Sequence, residues 1–256
     1  MKENLKDVTF LIPLKIDSDD RKENLKRTIN FIEEHFDTNI IVCENDKISN
    51  KDFIESVSSN IHYMFDFDDS GIFKYTKVLN DMTKQSKTPI TSNYDVDCIF
   101  PVEQIMDSVN AIRSNKLEVV YPYAGPFIDV PKTEFNNLSK GNFASINMNN
   151  CQILHPQSVG GCIFFNKESY TKAGLENENQ LSWGFADNER INRMMILEMK
   201  VGRTKGNCYH MSHSRDLNGG FENPYIKQNE AEFKKISSMN KQQLQKYITT
   251  WKWIKK

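Results

Sequence analysis

Three short stretches of this sequence place side chains where they could do chemistry. Asp95-Val-Asp97 sets two carboxylates one residue apart, an oxygen set that can hold a hard divalent cation and, through it, a diphosphate. The same Asp-x-Asp also suits a solvated turn. His210-Met-Ser-His213, followed by Ser214-Arg215-Asp216, spaces two of the five histidines as two ligands of one metal, although it also fits a surface pair in a polar segment. Asp oxygens combined with imidazole suit Mn²⁺ or Mg²⁺ at least as well as zinc, and a zinc hydrolase built here lacks a His-Glu-x-x-His helix and a cysteine ligand set. Trp183-Gly-Phe-Ala-Asp187-Asn-Glu189-Arg190 joins an aromatic platform, a glycine and a carboxylate at a helix start. Sugars offer apolar faces to rings and hydroxyls to carboxylates, so this stretch can set a hydroxyl beside a base. The alternative is that Asp187 caps the helix and Trp183 packs in the core. Gly160-Gly161 either lets a ligand approach the backbone or makes a turn.

Such groups must be carried by a scaffold, and the apolar pattern describes one. Val8–Leu14 is a short apolar run of the kind that forms a buried strand, with a turn over Lys15–Asp20. Leu25, Ile29, Ile32 and Phe36 recur along one helical face, with Ser18, Asp19 or Asp20 as N-cap. A strand over Asn39–Cys43 ends in Glu44-Asn45-Asp46. A weaker helical patch (Phe53, Ile54, Val57), a strand over Ile61–Phe67 and a helix bearing Tyr75, Val78, Leu79 and Met82 follow. Asp95–Asp97 then precedes a helix with Val102, Ile105, Met106, Val109 and Ile112, and a strand over Leu117–Tyr123. This alternation predicts an α/β fold, a mostly parallel central sheet with helices on both faces. Ligands of such sheets bind outside the carboxyl ends of the strands, where Glu44–Asp46 and Asp95–Asp97 both fall. Residues 131–158, rich in Asn and Ser, read as a long loop. Beyond it come a strand over Cys162–Asn166, a short helix over Lys167–Ala173, and a helix with Ile191, Met194, Met195 and Met199.

The 256 residues suit one continuous domain, and neither a repeat nor a low-complexity linker divides them. A hydrophobic share of 38% with 26% charged residues argues against disorder, and the mean hydropathy of −0.60 against a membrane-embedded bundle. The net charge of −1 gives no global field for nucleic acid, so an anionic ligand needs a local site. Five scattered cysteines without paired spacing read as reduced thiols in a cytosolic protein, and the N-terminus shows no export signal. Leu244, Tyr247, Ile248, Trp251 and Ile254, interleaved with lysines, predict a C-terminal amphipathic helix that either packs on its own domain or touches the inner face of a membrane.

Taken in order, the strand ending in Glu-Asn-Asp, Asp-Val-Asp, the Gly-Gly strand, Trp-Gly-x-x-Asp-x-Glu and His-x-x-His-Ser-Arg-Asp resemble the β-1,4-galactosyltransferase family and related bacterial GT-A glycosyltransferases, including chondroitin-polymerase-like enzymes. The matching segments are Val8–Leu14, Tyr94–Phe100, Val159–Arg193 and His210–Pro224. The resemblance implies a GT-A fold and an inverting, metal-dependent transfer of a hexose or N-acetylhexosamine, Gal or GalNAc favoured, from a UDP-sugar to an oligosaccharide or glycolipid in polysaccharide biosynthesis. It implies Asp97, His210 and His213 as ligands of Mn²⁺ (or Mg²⁺), Asp95 near the ribose, and Asp187 as general base. Trp183, Gly160 and Gly161 form the sugar-binding wall. Pro13 falls in the first nucleotide-binding loop, where Lys15-Ile16-Asp17 replaces an Arg-rich stretch and Arg21 stands to supply the charge, with Glu44 and Asp46 at the neighbouring strand end. Ala186 departs from the family, which commonly has Glu there. On this reading 1–125 is the nucleotide-binding half, 126–240 the acceptor- and metal-binding half, and 241–256 the C-terminal helix. Two other readings stand beside it: an inactive nucleotide-sugar or glycan binder, and a metal-dependent hydrolase.

Overall fold

Along β1 (Glu3–Leu14) burial is partial at the exposed start and unbroken from Val8 to Leu14, as a strand covered on both faces requires. In this computed structural model, which describes residues 1–214 and 223–255, α1 (Asp19–His35) begins at Ser18, whose hydroxyl accepts the Arg21 amide. The chain passes directly from α1 into β2 (Phe36–Asp46), so Phe36, which continues the helical spacing, opens a strand instead. Alternation continues through α2 (Lys51–Val57), β3 (Ile61–Phe67), α3 (Tyr75–Gln85), β4 (Ile90–Tyr94), the two-residue β5 (Cys98–Ile99), α4 (Val102–Arg113) and β6 (Val119–Tyr121).

Past β6 the sequence was a poorer guide. After β7 (Phe127–Val130), residues 131–158 are not one long loop but short 3-10 turns, α5 (Phe135–Ser139) and β8 (Gln152–His155). Their elements are too short for a period to show, and Asn residues serve as turn formers, as where the Asn147 side chain accepts the Asn149 amide. Phe135, Leu138 and Ile146 nevertheless reach the core. Then follow β9 (Cys162–Asn166), α6 (Lys167–Lys172), α7 (Ala186–Ile196), β10 (Val201–Arg203), β11 (Cys208–Met211), α8 (Ile226–Ser237) and α9 (Lys241–Ile248). Met199 lies past the end of α7, and Met195 is 60% exposed.

The large sheet has seven strands in the order β10-β6-β9-β4-β1-β2-β3. It is parallel at every pairing except those of β9, which lies antiparallel between β4 and β6. The chain enters β9 by way of a second sheet and needs no helical crossover there. That second sheet, β5-β11-β7-β8, was not foreseen, and it is what carries the histidines to the strand ends of the first.

The C-terminal helix is shorter than its apolar spacing suggests; of its stripe, Leu244, Ile248 and Trp251 turn inward, Tyr247 is half-buried and Ile254 is exposed. Leu244, Ile248, Trp251 and Trp253 are buried with Ile236, and the Trp253 indole donates to the Gly174 carbonyl at 3.1 Å. Those side chains are therefore not offered to a membrane. Leu244→Ala should cost about 2–5 kcal/mol in urea unfolding, whereas a bilayer-facing leucine would leave stability unmoved. Among the described residues no helix is long and apolar enough to cross a membrane.

Candidate active site

The turn between β4 and β5 is pinned from several sides. The Asp95 amide donates to the Gly161 carbonyl at 2.8 Å, Thr28 Oγ1 to the Val96 carbonyl at 2.7 Å, and the Met211 amide to the Asp97 carbonyl at 2.7 Å. Asp97 is thereby held beside β11, whose His210 stands opposite Cys98 in the antiparallel pairing. His213 Nε2 lies 3.1 Å and His210 Nε2 3.8 Å from the same Asp97 oxygen.

Both imidazoles are aimed by their other nitrogen. His210 Nδ1 is 2.7 Å from Asp129 Oδ1, and His213 Nδ1 is 2.6 Å from the Ser214 carbonyl. Each ring so presents Nε2 to Asp97, and the ligand atoms of the three residues lie within 4.8 Å of one another. One carboxylate oxygen and two imidazole nitrogens at this spacing fit a divalent ion that keeps further positions open. Burial would raise the Asp97 pKa, but the neighbouring His210 and Arg21 charges and the His213 hydrogen bond hold it well below the usual range. His213 is shifted the other way: burial opposes its charge, and the Asp97 contact outweighs burial and raises it. A cavity of about 260 Å³ opens here, lined by Asp129, Leu154, His155, His210 and His213.

Asp129, on β7, is a site residue that motif reading missed; its one signal is a carboxylate within the apolar run Phe-Ile-Asp-Val. It also accepts the Ser212 hydroxyl at 2.8 Å. Asp129→Ala should weaken Mn²⁺ binding about 10- to 100-fold while leaving the three ligands in place. Calorimetric titration with Mn²⁺ checks this, and an unchanged affinity would remove Asp129 from the site.

The opposite wall is built by the start of α7. Ser182, Gly184 and Phe185 all have positive φ, and a Cβ on Gly184 would meet the Ile226 side chain at 2.4 Å, so the bend before the helix is tightly defined. Phe185 is the N-cap and gives no side-chain cap; Asp187, in the first turn, is not the capping residue. Its Oδ1 takes the Arg190 guanidinium at 2.8 Å, and its Oδ2 lies where a Cβ on Gly160 would come within 2.9 Å. A side chain at Gly160 would therefore displace the Asp187 carboxylate. Gly161, at φ +80°, packs against Cys98 and Cys208 behind Asp97. Burial and the Glu176 charge raise the Asp187 pKa, and Arg190 opposes them without cancelling the rise. Asp95 lies within electrostatic reach of both Asp97 and Asp187. Burial and the charges of Asp97 and Asp187 raise its pKa, and its Oδ1 takes the Tyr75 hydroxyl at 3.0 Å.

The remaining candidates are placed unevenly. Arg21 reaches from α1 onto Asp97 Oδ2 and is 3.7 Å from Asp17. Pro13 is buried in β1 opposite Cys43. Glu44 is buried, and its oxygens are taken by the Asn50 amide and side chain and by the Tyr63 hydroxyl; Asp46 pairs with Lys15 at 3.4 Å. Neither carboxylate is brought to Asp97, from which β1 separates their strand. Trp183 is half-buried, its carbonyl held by Asn223 at 2.5 Å. Arg215 and Asp216 lie outside the described residues.

With this geometry in view, comparison with known proteins is informative. Residues 141–214 match the model of the N-terminal domain of galactosyltransferase. No curated protein matches by sequence. Among solved structures, the catalytic domain of Drosophila β1,4-galactosyltransferase 7 in complex with xylobiose is similar at a TM-score of 0.55 and 14% identity, over 91% of this chain and 81% of that one. A mutant of that Drosophila enzyme in complex with manganese, UDP-Gal and xylobiose gives a TM-score of 0.53 at 14% identity, over 91% and 79%. The mannosyltransferase PcManGT from Pyrobaculum calidifontis, in complex with GDP-Man and Mn²⁺, gives 0.54 at 12% identity, over 82% and 58%. The galactosyltransferase family model takes in the Gly-Gly strand, the Trp-Gly-x-x-Asp-x-Glu stretch and His210-Met-Ser-His213, while Val8–Leu14 and Asp95-Val-Asp97 lie outside it; the chain has the fold of the GT-A glycosyltransferases.

Proposed function

We propose that this protein is an inverting, metal-dependent glycosyltransferase that moves a hexose or N-acetylhexosamine, Gal or GalNAc favoured, from a UDP-sugar to a hydroxyl of an oligosaccharide or glycolipid. The observation that carries the reading is the convergence of Asp97, His210 and His213, from distant parts of the chain, on one point, with Asp95 in electrostatic reach of both Asp97 and Asp187. When bound, Mn²⁺ or Mg²⁺ neutralises charge on the departing nucleotide diphosphate. Asp187, ionised, takes the proton of the attacking hydroxyl through the oxygen facing Gly160. A single in-line displacement turns an α-linked donor into a β-glycoside.

Support also comes from what the similar structures hold: manganese with UDP-Gal in one and Mn²⁺ with GDP-Man in another. The test is UDP release from UDP-Gal, UDP-GalNAc, UDP-Glc and UDP-GlcNAc with Mn²⁺ and a panel of saccharide acceptors. One donor should be consumed, EDTA should abolish release, and added Mn²⁺ should restore it. An inactive binder would hold UDP and release none, and a metal hydrolase would turn over phosphoesters without a nucleotide sugar.

A further inference from the structure

We propose that Arg190 is a positioning residue for the base: its guanidinium holds one oxygen of Asp187 and leaves the other presented at Gly160. The inference deepens the reading of Asp187 given above. Arg190 lies one helical turn after Asp187, so the two share a face of α7. Its Nη1 is 2.8 Å from Asp187 Oδ1 and its Nε 2.6 Å from Glu176 Oε1. Arg190 and Glu176 are each 1% exposed, whereas the Asp187 side chain is 40% exposed. The fork therefore stands on a buried base and reaches outward to a carboxylate at the cleft.

Glu176 is itself fixed. Its Oε1 also accepts the Tyr170 hydroxyl at 2.6 Å and Asn93 Nδ2 at 2.9 Å, and its backbone exchanges hydrogen bonds with the Asn80 side chain. Asn93 belongs to β4, the strand that leads to Asp95 and Asp97. The network thus ties the base on α7 to the strand carrying the other carboxylates. A planar guanidinium can bridge two carboxylates at once, a geometry an ammonium reproduces poorly.

The charges around Asp187 make this role consequential. Tyr75 on α3, Asp95 after β4, Tyr121 on β6, Tyr123 beyond it and Glu176 all lie within electrostatic reach of Asp187 or of its arginine; Arg203 stacks over Tyr121 and Tyr123, and Arg190 is the cation that acts on Asp187 itself. Without it, the Glu176 charge would act on Asp187 unopposed.

The experiment compares Arg190→Gln, Arg190→Lys and the double variant Arg190→Gln/Glu176→Gln, which leaves no unpaired buried carboxylate should the single variant fold poorly. The Asp187 carboxyl is titrated by ¹³C NMR in the protein without nucleotide, with Asp187→Asn to assign the resonance. Loss of the arginine should raise the midpoint by about one unit or more, as expected for removing an opposite charge at this range, and Arg190→Lys should raise it less. In kcat/KM profiles the acid limb should move upward in step, with UDP–Mn²⁺ affinity within about twofold of the parent. An unmoved midpoint in the single variant, or in the folded double variant relative to Glu176→Gln alone, overturns the inference. If the midpoint moves while Asp187→Asn keeps full transfer, the base reading fails and the positioning of Asp187 by Arg190 stands.

Discussion

Asp97→Asn is expected to lower sugar transfer by about 10³-fold and to abolish the metal dependence of UDP binding. Asp97 is the one carboxylate toward which both imidazoles point, and its charge is what the surrounding His210, Arg21 and His213 stabilise. Several kcal/mol of charge stabilisation go with a bound cation, and each factor of ten in rate is about 1.4 kcal/mol. Asn keeps the size, and the Asp97 backbone carbonyl still receives the Met211 amide, so the turn should survive. Calorimetry of UDP with and without Mn²⁺, run on parent and variant, separates binding from folding. Equal UDP affinity in the parent with and without metal would count against a metal-bridged diphosphate at this site.

The second large effect belongs to Asp187→Asn, which should reduce transfer about 10²- to 10⁴-fold, the usual yield of a general base, with UDP–Mn²⁺ binding intact. Asn accepts the Arg190 hydrogen bond but takes no proton from a hydroxyl. A base at this position works ionised, and the Asp187 pKa is raised, so the parent's kcat/KM should be lost as pH falls through a midpoint shifted upward from that of an ordinary aspartate. That acid limb should vanish in the variant. A residue serving only the helix start would leave activity unchanged on substitution by Asn. Full activity in Asp187→Asn, with donor and acceptor identified, would falsify the base assignment. Glu189 is a poor substitute, because its buried carboxylate is bound to Arg193 at 2.7 Å.

The first half of the fold was legible because β1 and β2 are long and largely buried and the helices between strands carry clear stripes; Val8–Leu14 and the helix through Leu25, Ile29 and Ile32 are examples. The small sheet was not, since β5 has two residues and β7, β8 and β11 four each, too few for a period to rise above chance. The site shows the same division. Asp97, His210, His213 and Asp187 stand in compact motifs and were read from them, whereas Asp129, Tyr75 and Glu176 meet partners distant in the chain, and Arg190, though inside the motif, gave no sign of its pairing with Glu176. No spacing rule reaches from Asp129 to His210 or from Glu176 to Asp187. Glu44 and Asp46 shared a strand-end position with Asp95 and Asp97, but the partners that fill or pair them, Asn50, Tyr63 and Lys15, are revealed only by folding.

The antiparallel insertion of β9 has a consequence for biosynthesis. When the ribosome has released β4 and β6, these strands cannot become neighbours, because the segment that joins them, Cys162–Asn166, is still to be made. At about 5–20 residues per second, the nascent chain waits on the order of several seconds with the β4 edge open. An open edge of buried, uncharged residues such as Ile90–Tyr94 is a template for wrong pairing. Truncation before residue 162 should therefore give an aggregating fragment and not a smaller stable module.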